Sequence, residues 1–329
     1  MPMSDTRYQA PCGRQGATGA LWLLTLGIVA WSFVVSLMGY REAWPAAGSF
    51  TPISQLHHIH GLAVDPQAPS ILYAATHAGL VRFTEGKRWE QVGEERSDFM
   101  GFTLHGSQPG VMYASGHPAG SSPRPNPVGV IASRDGGQSW QPLALAGVVD
   151  LHAMTFSPPE EALYGWNVAG APGLYRVSTK DGSWTKIDAT GLQDVFSLAA
   201  HPSQRQTLLA GTRAGLRLSR DGGTSWAAFH PTLAGFPVTL AVYHSGDPQI
   251  LYAYAARPDL GFLRSADSGQ TWSPTGLFLG ARDAAAVLAV APGEGEVLYL
   301  SSFSSDLYRS GDAGKSWQLL VQQGKPVNP

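Results

Sequence analysis

A short motif recurs along this chain at a nearly constant interval, and it limits the possible folds more than any other feature. Four segments match Ser-x-Asp-x-Gly-x-[Ser/Thr]-Trp, namely residues 133–140, 219–226, 265–272 and 310–317. Residues 178–184 are a shortened copy, and residues 82–89 are a degenerate one. The tryptophans that close the six copies lie 42 to 51 residues apart. A fixed period of roughly 20–50 residues indicates a repeat architecture.

Each repeat has the same internal order of apolar segments and turns. A segment such as residues 61–64 is followed by a turn, a second segment with Leu-Tyr or a close variant, a third that enters the motif, and a fourth that begins at the tryptophan. Short apolar segments separated by turn residues are typical of β-strands. Six repeats of this length predict an all-β, six-bladed β-propeller over residues 51–325. For ring closure two alternatives remain: residues 49–56 either complete the last blade or lead into the first.

The aspartates of the motif are predicted to brace turns and not to catalyse. An aspartate carboxylate accepts backbone N–H groups in a tight turn, and the glycine adopts a positive φ at low cost. The tryptophan buries a large apolar surface under the turn. Because all copies share one local role, we assign it to Asp135, Asp221, Asp267 and Asp312.

The N-terminal region contains an uncharged apolar segment at residues 20–40. About 20 such residues span a bilayer as a helix, and aromatic residues mark its interfaces, here Trp22 and Tyr40. Arg7 and Arg14 precede the segment, and this positive charge favours a cytoplasmic location for the tail at residues 1–19. Residues 41–50 are predicted to form a short linker between the segment and the propeller. The alternative is a signal peptide that is cleaved after the segment, and both alternatives place the propeller outside the cytoplasm.

The motif is the Asp box, or BNR repeat, and the chain resembles the Asp-box propellers: sialidases, sortilin-type receptor domains and photosystem II assembly propellers. It is most similar to a bacterial family of exported Asp-box propellers labelled glycosylhydrolase. The segments that carry this closer resemblance are residues 58–66, 75–80, 100–102, 115–118 and 150–154. The resemblance implies a propeller fold and a glycoside hydrolase activity. The chain departs from the sialidase pattern, because no Arg-Ile-Pro motif precedes its first repeat.

Histidines concentrate on one predicted face of the ring. In a four-stranded blade the start of strand one and the end of strand two share a face, which we call the site face. His60 and His152 occupy the same position of strand one in blades 1 and 3, where blade 2 has Met100. Two residues earlier, blades 1 to 4 carry His58, Asp98, Asp150 and Asp194. Strand two of blades 1 and 2 ends at His77 and His117.

This histidine group predicts a metal site or an acid–base cluster in blades 1 to 3. Imidazoles with a carboxylate suit zinc, copper, iron or nickel, and a nearby methionine favours copper. The predicted ligands are His58, His60, His77, His117, Asp150 and His152, with Asp98 and Met100 as weaker candidates. The alternative is that these histidines cap strand ends and line a wet channel.

Other charged residues of the site face are weaker candidates for catalysis. They are Glu94, Glu95, Asp98, Arg213 and Arg257. Paired carboxylates serve glycoside hydrolysis when they are correctly separated, whereas exposed charges are ordinary in loops. A loop with three prolines at residues 120–127 is predicted to border or cover the site beside His117.

These features predict a membrane-anchored, extracytoplasmic binding module with a histidine-rich, metal-binding site. One alternative is a glycoside hydrolase of the Asp-box type. Another is a scaffold or assembly factor that grips a membrane-protein partner, and a glycan is a further possible partner. A formal net charge of −2 argues against nucleic acid. The single cysteine, Cys12, excludes an intrachain disulfide and a cysteine-based metal site.

Overall fold

The apolar segments of the repeats form six antiparallel sheets in the computed structural model, which describes residues 48–84, 88–293 and 296–327. Blade 1 contains β1 (Phe50–Pro52), β2 (Ile59–Val64), β3 (Ile71–Thr76), β4 (Gly79–Thr84) and β5 (Trp89–Val92). Blade 2 contains β6 (Asp98–Leu104), β7 (Met112–His117), β8 (Gly129–Ser133) and β9 (Gln141–Ala144). Blade 3 contains β10 (Leu151–Ser157), β11 (Ala162–Asn167), β12 (Gly173–Ser178) and β13 (Trp184–Ile187).

The second half of the ring repeats this order. Blade 4 contains β14 (Val195–Ala200), β15 (Leu208–Thr212), β16 (Gly215–Ser219) and β17 (Ala227–Ala228). Blade 5 contains β18 (Val238–Tyr243), β19 (Leu251–Ala255), β20 (Gly261–Ser265) and β21 (Ser273–Pro274). Blade 6 contains β22 (Ala285–Val290), β23 (Leu298–Ser302), β24 (Leu307–Ser310), β25 (Gln318–Gln322) and β26 (Lys325–Pro326). Short 3-10 helices lie at Pro158–Glu160 and Pro231–Leu233. The predicted all-β six-bladed propeller is confirmed.

Ring closure differs from both alternatives drawn from the sequence. The strand β1 does not complete the last blade; it pairs with β5 as an outer fifth strand of its own blade, with Phe50 opposite Val92. Likewise β26 adds a fifth strand to blade 6. The first and last blades meet through apolar packing that includes Ile59 and Leu307, and through a hydrogen bond of 2.7 Å from Leu56 N to Gly324 O. Apolar burial and this hydrogen bond therefore both hold the first and last blades together.

Each complete Asp box forms the predicted brace. In blade 4, Asp221 Oδ1 accepts the Ser225 amide at 2.9 Å and the Ser219 hydroxyl at 2.8 Å. The indole of Trp226 donates to Gly223 O at 2.8 Å. The same bonds recur in blades 2, 5 and 6. These contacts satisfy polar groups of the turn that strand pairing leaves unpaired.

Packing between blades also requires the second glycine of the box. A Cβ added at Gly223 would lie 2.3 Å from Leu174 Cδ2 in blade 3. At Gly269 it would lie 2.3 Å from the ring of Phe229, and at Gly314 2.7 Å from that of Phe262. Each of these boxes therefore joins its own blade to the preceding one, a tertiary role that the turn motif alone does not reveal.

We expect Asp221→Ala to lower the melting temperature by roughly 2–8 °C, because the loss of the hydrogen bonds that brace the turn costs about 1–2 kcal/mol in a domain of this size. Hydrogen bonds from Ser225 and Ser219 lower the pKa of Asp221 to about 2, from 3.8. The stabilisation is therefore complete above pH 3.8 and is lost as the pH falls toward 2. Thermal unfolding of Asp188→Ala, an exposed aspartate outside any box, is the control. Equal melting temperatures for the two variants at neutral pH would contradict the brace.

The predicted tail, membrane anchor and most of the linker, residues 1–47, lie outside the described residues. Within residues 48–84, 88–293 and 296–327, no helix is long and apolar enough to span a bilayer.

Candidate functional site

A β-bulge interrupts the innermost strand of every blade at one equivalent position. In blade 1 the register passes from Ile59 opposite Thr76 to Gly61 opposite Ala75, so His60 has no partner. The six residues skipped in this way are His60, Met100, His152, Phe196, Thr239 and Ala286. Bulges re-aim side chains, so the two-residue alternation of a regular strand does not hold at these positions. The bulge residues of blades 1 to 4 stand at the mouth of the central channel.

The central channel has a volume of about 770 Å³ and is lined by the innermost strands of all six blades. Its site-face end is lined by His58, His60, His152, Phe196 and Phe303. Small and apolar residues line the deeper part. The histidines that line the channel, His58, His60 and His152, therefore all lie at one end of it.

The first histidine group lies at the boundary of blades 1 and 2. His60 Nε2 lies 3.1 Å from His77 Nε2, and His77 Nδ1 lies 2.7 Å from Asp98 Oδ1. His58 packs beside them, with ring centroids 4.7 Å from His60 and 5.6 Å from His77. Its Nδ1 lies 3.0 Å from the hydroxyl of Ser305 in blade 6. Potential ligand atoms of His60, His77 and Asp98 all lie within 4.8 Å of one another.

Burial keeps the inner imidazoles of this group neutral. It is the main cause that lowers the pKa of His60 to about 3, and repulsion from His58, His77 and His152 adds to it. The carboxylate of Asp150 opposes this shift. Burial, followed by the charge of His77, also lowers the pKa of His58. Neutral imidazole is the form that binds metal ions, so both rings are ready for coordination at neutral pH.

The second group lies one blade further on, at the boundary of blades 2 and 3. Asp150 Oδ2 lies 2.8 Å from His152 Nε2 and 3.2 Å from His117 Nε2. The Asp150 side chain is only 5% exposed. Burial by itself raises the pKa of this carboxyl, but the hydrogen bond and charge of His152, with those of His117, outweigh it and lower the pKa. Asp150 is therefore ionised at neutral pH.

The proline loop at residues 120–127 borders this second group. Asn126 Oδ1 lies 2.8 Å from His117 Nδ1. Arg124 fixes the loop, because its guanidinium donates to Trp140 O at 2.7 Å and lies 3.1 Å from a Glu95 oxygen. The loop thus sets the orientation of the His117 ring.

The remaining candidates do not join either group. Glu94 contacts the Ser49 hydroxyl, and Glu95 is held by Ser97 and Arg124. The two arginines are engaged within their own blades: Arg213 lies 3.4 Å from Asp194, and Arg257 lies 2.9 Å from Asp259. Met100 occupies the bulge of blade 2, at the position that His60 has in blade 1 and His152 in blade 3.

Two residues of the site were not singled out from the sequence. Ser305 reaches His58 only because blade 6 closes on blade 1, a contact that any closed ring implies for its first and last repeats. Asn126 belongs to the proline loop, but its contact with His117 depends on how that loop folds back. The neighbouring-blade pairing of Asp98 with His77 likewise follows from blade packing and not from spacing.

No protein-family model and no curated protein matches this sequence. Solved structures with a similar fold include an ancestral GH74 enzyme, at 18% identity and a TM-score of 0.53, covering 84% of this chain and 40% of that chain. Another is YCF48 bound to D1 peptide, at 16% identity and a TM-score of 0.50, covering 83% of this chain and 85% of that chain. This chain spans less than half of the GH74 enzyme. The predicted resemblance to such propellers is confirmed as a likeness of fold.

Proposed function

We propose that this chain is a membrane-anchored, extracytoplasmic binding module whose site face holds a transition-metal ion, copper or zinc. The observation that carries the proposal is the 3.1 Å approach of His60 Nε2 to His77 Nε2. Two imidazole nitrogens on one ion lie roughly 3.0–3.4 Å apart, because each metal–nitrogen bond is about 2.0–2.1 Å. Asp98 on the other nitrogen of His77 fits the carboxylate partner that orients metal-bound histidines.

Within this proposal, the bound ion would be held by His60 and His77, with His58 as a third imidazole. Asp98 would fix the Nδ1–H tautomer of His77 and so direct the Nε2 lone pair to the ion. Met100 would favour copper if it reached the same ion. The ion would supply an open coordination position at the channel mouth, where a ligand from solution can bind. Anchoring rests on the uncharged segment at residues 20–40.

Elemental mass spectrometry tests this proposal on the full chain, purified in a mild detergent and reconstituted with copper or zinc at neutral pH. We expect at least one ion per wild-type chain, and the loss of one ion in His60→Ala/His77→Ala. His57→Ala is the matched control, because His57 is exposed and adjacent in sequence to the cluster. Reconstituted wild type that holds no metal would leave the histidines as channel lining and end the proposal.

A second candidate function is a scaffold that grips a membrane-protein partner. Among the described residues, four exposed large apolar side chains belong to the site face: Val148, Val168, Phe196 and Phe303. Exposed apolar residues on one face favour protein contact, and the similar fold of YCF48 bound to D1 peptide supports a peptide ligand. A photo-crosslinker at Phe303 would then capture a membrane protein that the same probe at the exposed Trp184 does not.

The glycoside hydrolase alternative is supported by the fold shared with the GH74 enzyme. Hydrolysis of a glycosidic bond requires two carboxyl groups that flank it, one of them able to donate a proton. Among the carboxylate candidates, Glu95 is paired with Arg124 and Asp98 with His77, and Glu94 accepts from the Ser49 hydroxyl, which favours none of them as the proton donor. Release of reducing sugar from polysaccharides by wild type, and its loss in Asp98→Asn, would revive this alternative.

A further inference from the structure

The carboxylate of Asp150 is incompletely satisfied. Its Oδ1 atom is buried and has no hydrogen-bond partner among the described residues, while Oδ2 is approached by two imidazoles. A buried carboxylate oxygen without a partner is costly, and native proteins rarely leave one unless an ion, a water molecule or a catalytic role accounts for it. A cation bound at this carboxylate would satisfy the buried oxygen.

The orientation of His117 points in the same direction. Its Nδ1 faces Asn126 Oδ1 at 2.8 Å, so Nδ1 carries the hydrogen in the arrangement described. The other nitrogen, Nε2, faces Asp150 Oδ2 at 3.2 Å, so a proton or a metal ion on Nε2 would meet the carboxylate. A metal ion at this position would replace the proton of the charged ring, and because Arg124 holds the proline loop, Asn126 stays in place.

The second group lies one blade further round the ring than the first, but the carboxylates of the two groups have different roles. In both, an aspartate at the start of strand one faces the histidine that ends strand two in the preceding blade. Asp98 contacts Nδ1 of His77 and leaves Nε2 for the first ion, whereas Asp150 contacts Nε2 of His117 itself. Asp150 thus occupies the place of a direct ligand and not of an orienting partner.

We propose that Asp150, His117 and His152 bind a second divalent transition-metal ion beside the one assigned to His60 and His77. The inference deepens the proposed function and rests on it. The two imidazoles approach the same oxygen and form a wider group than the first, so the exposed His152 ring must turn to complete the coordination. The blade repeat thereby presents two ions side by side at the channel mouth, an arrangement suited to a ligand with two donor atoms.

Zinc titration of the chelator-treated full chain in detergent, with bound zinc counted by equilibrium dialysis and elemental mass spectrometry, tests the second ion. We expect two zinc ions per wild-type chain and one in Asp150→Asn. His60→Ala/His77→Ala should also keep one ion, bound at Asp150. His152→Gln, a change at an exposed ring, should weaken the second site at least about tenfold. If circular dichroism shows that Asp150→Asn does not fold, the zinc count of His152→Gln decides the test instead.

The outcomes separate this inference from the proposed function. One ion in wild type that persists in both the Asp150→Asn and the His152→Gln variant would overturn the second site and leave the first intact. Two ions retained in both variants would also overturn it, because the second ion would then lie elsewhere. No ion in wild type would overturn both proposals.

Discussion

Gly116→Ala is expected to destabilise the propeller by about 3–5 kcal/mol, the upper range for single substitutions. Gly116 has φ of +140°, and a Cβ there would lie 2.0 Å from Asp98 O and 2.9 Å from Met100 N. The glycine faces the bulge of blade 2, so a methyl group would meet backbone that side-chain motion cannot relieve. Because Asp98 and His117 flank this contact, the substitution should also weaken metal binding at both groups.

Thermal unfolding measures this effect, and Gly120→Ala is the matched control. Gly120 lies in the exposed proline loop, where an added Cβ has no atom within 4 Å. Each kcal/mol corresponds to roughly 2–4 °C in a domain of this size, so the Gly116 variant should melt about 6–20 °C below the control. Similar melting temperatures for the two variants would show that the bulge adapts to a side chain.

Lowering the pH from 7 to 5 should destabilise the metal-free protein by about 2 kcal/mol through His60 alone. Burial first, then repulsion by neighbouring histidines, lowers the pKa of His60 to about 3 from 6.5. The unfolded chain therefore binds a proton below pH 6.5 that the folded chain does not take up. Stability from this source is complete above pH 6.5 and falls as the pH decreases toward 3.

Denaturant unfolding at pH 7 and pH 5, with a chelator present, checks this prediction. His60→Gln removes the titrating group, so its loss of stability between the two pH values should be about 2 kcal/mol smaller than that of wild type. His57→Gln, a change at an exposed neighbour, should retain the wild-type dependence. An identical pH dependence in wild type and His60→Gln would mean that His60 is not desolvated as described.

The fold was predictable because its signals are local and repeated. The Asp box depends on contacts within eight residues, for example from Ser219 to Trp226, so each copy of the motif predicts one hairpin. Six copies at a blade-length period then identify the ring. The same alignment of repeats placed His60, Met100 and His152 at one equivalent position, which the six bulges bear out.

Tertiary structure decided the closure of the ring and the partners of each site residue. The sequence determined which residues lie at the site-face end of each blade, because that depends on strand order within each blade. Only packing between blades determined that Asp98 meets His77 and that Asp150 meets His117, and only loop folding brought Asn126 to His117. Short-range periodicity fixes the blades, whereas contacts between residues far apart in sequence depend on the twist and close packing of the assembled ring.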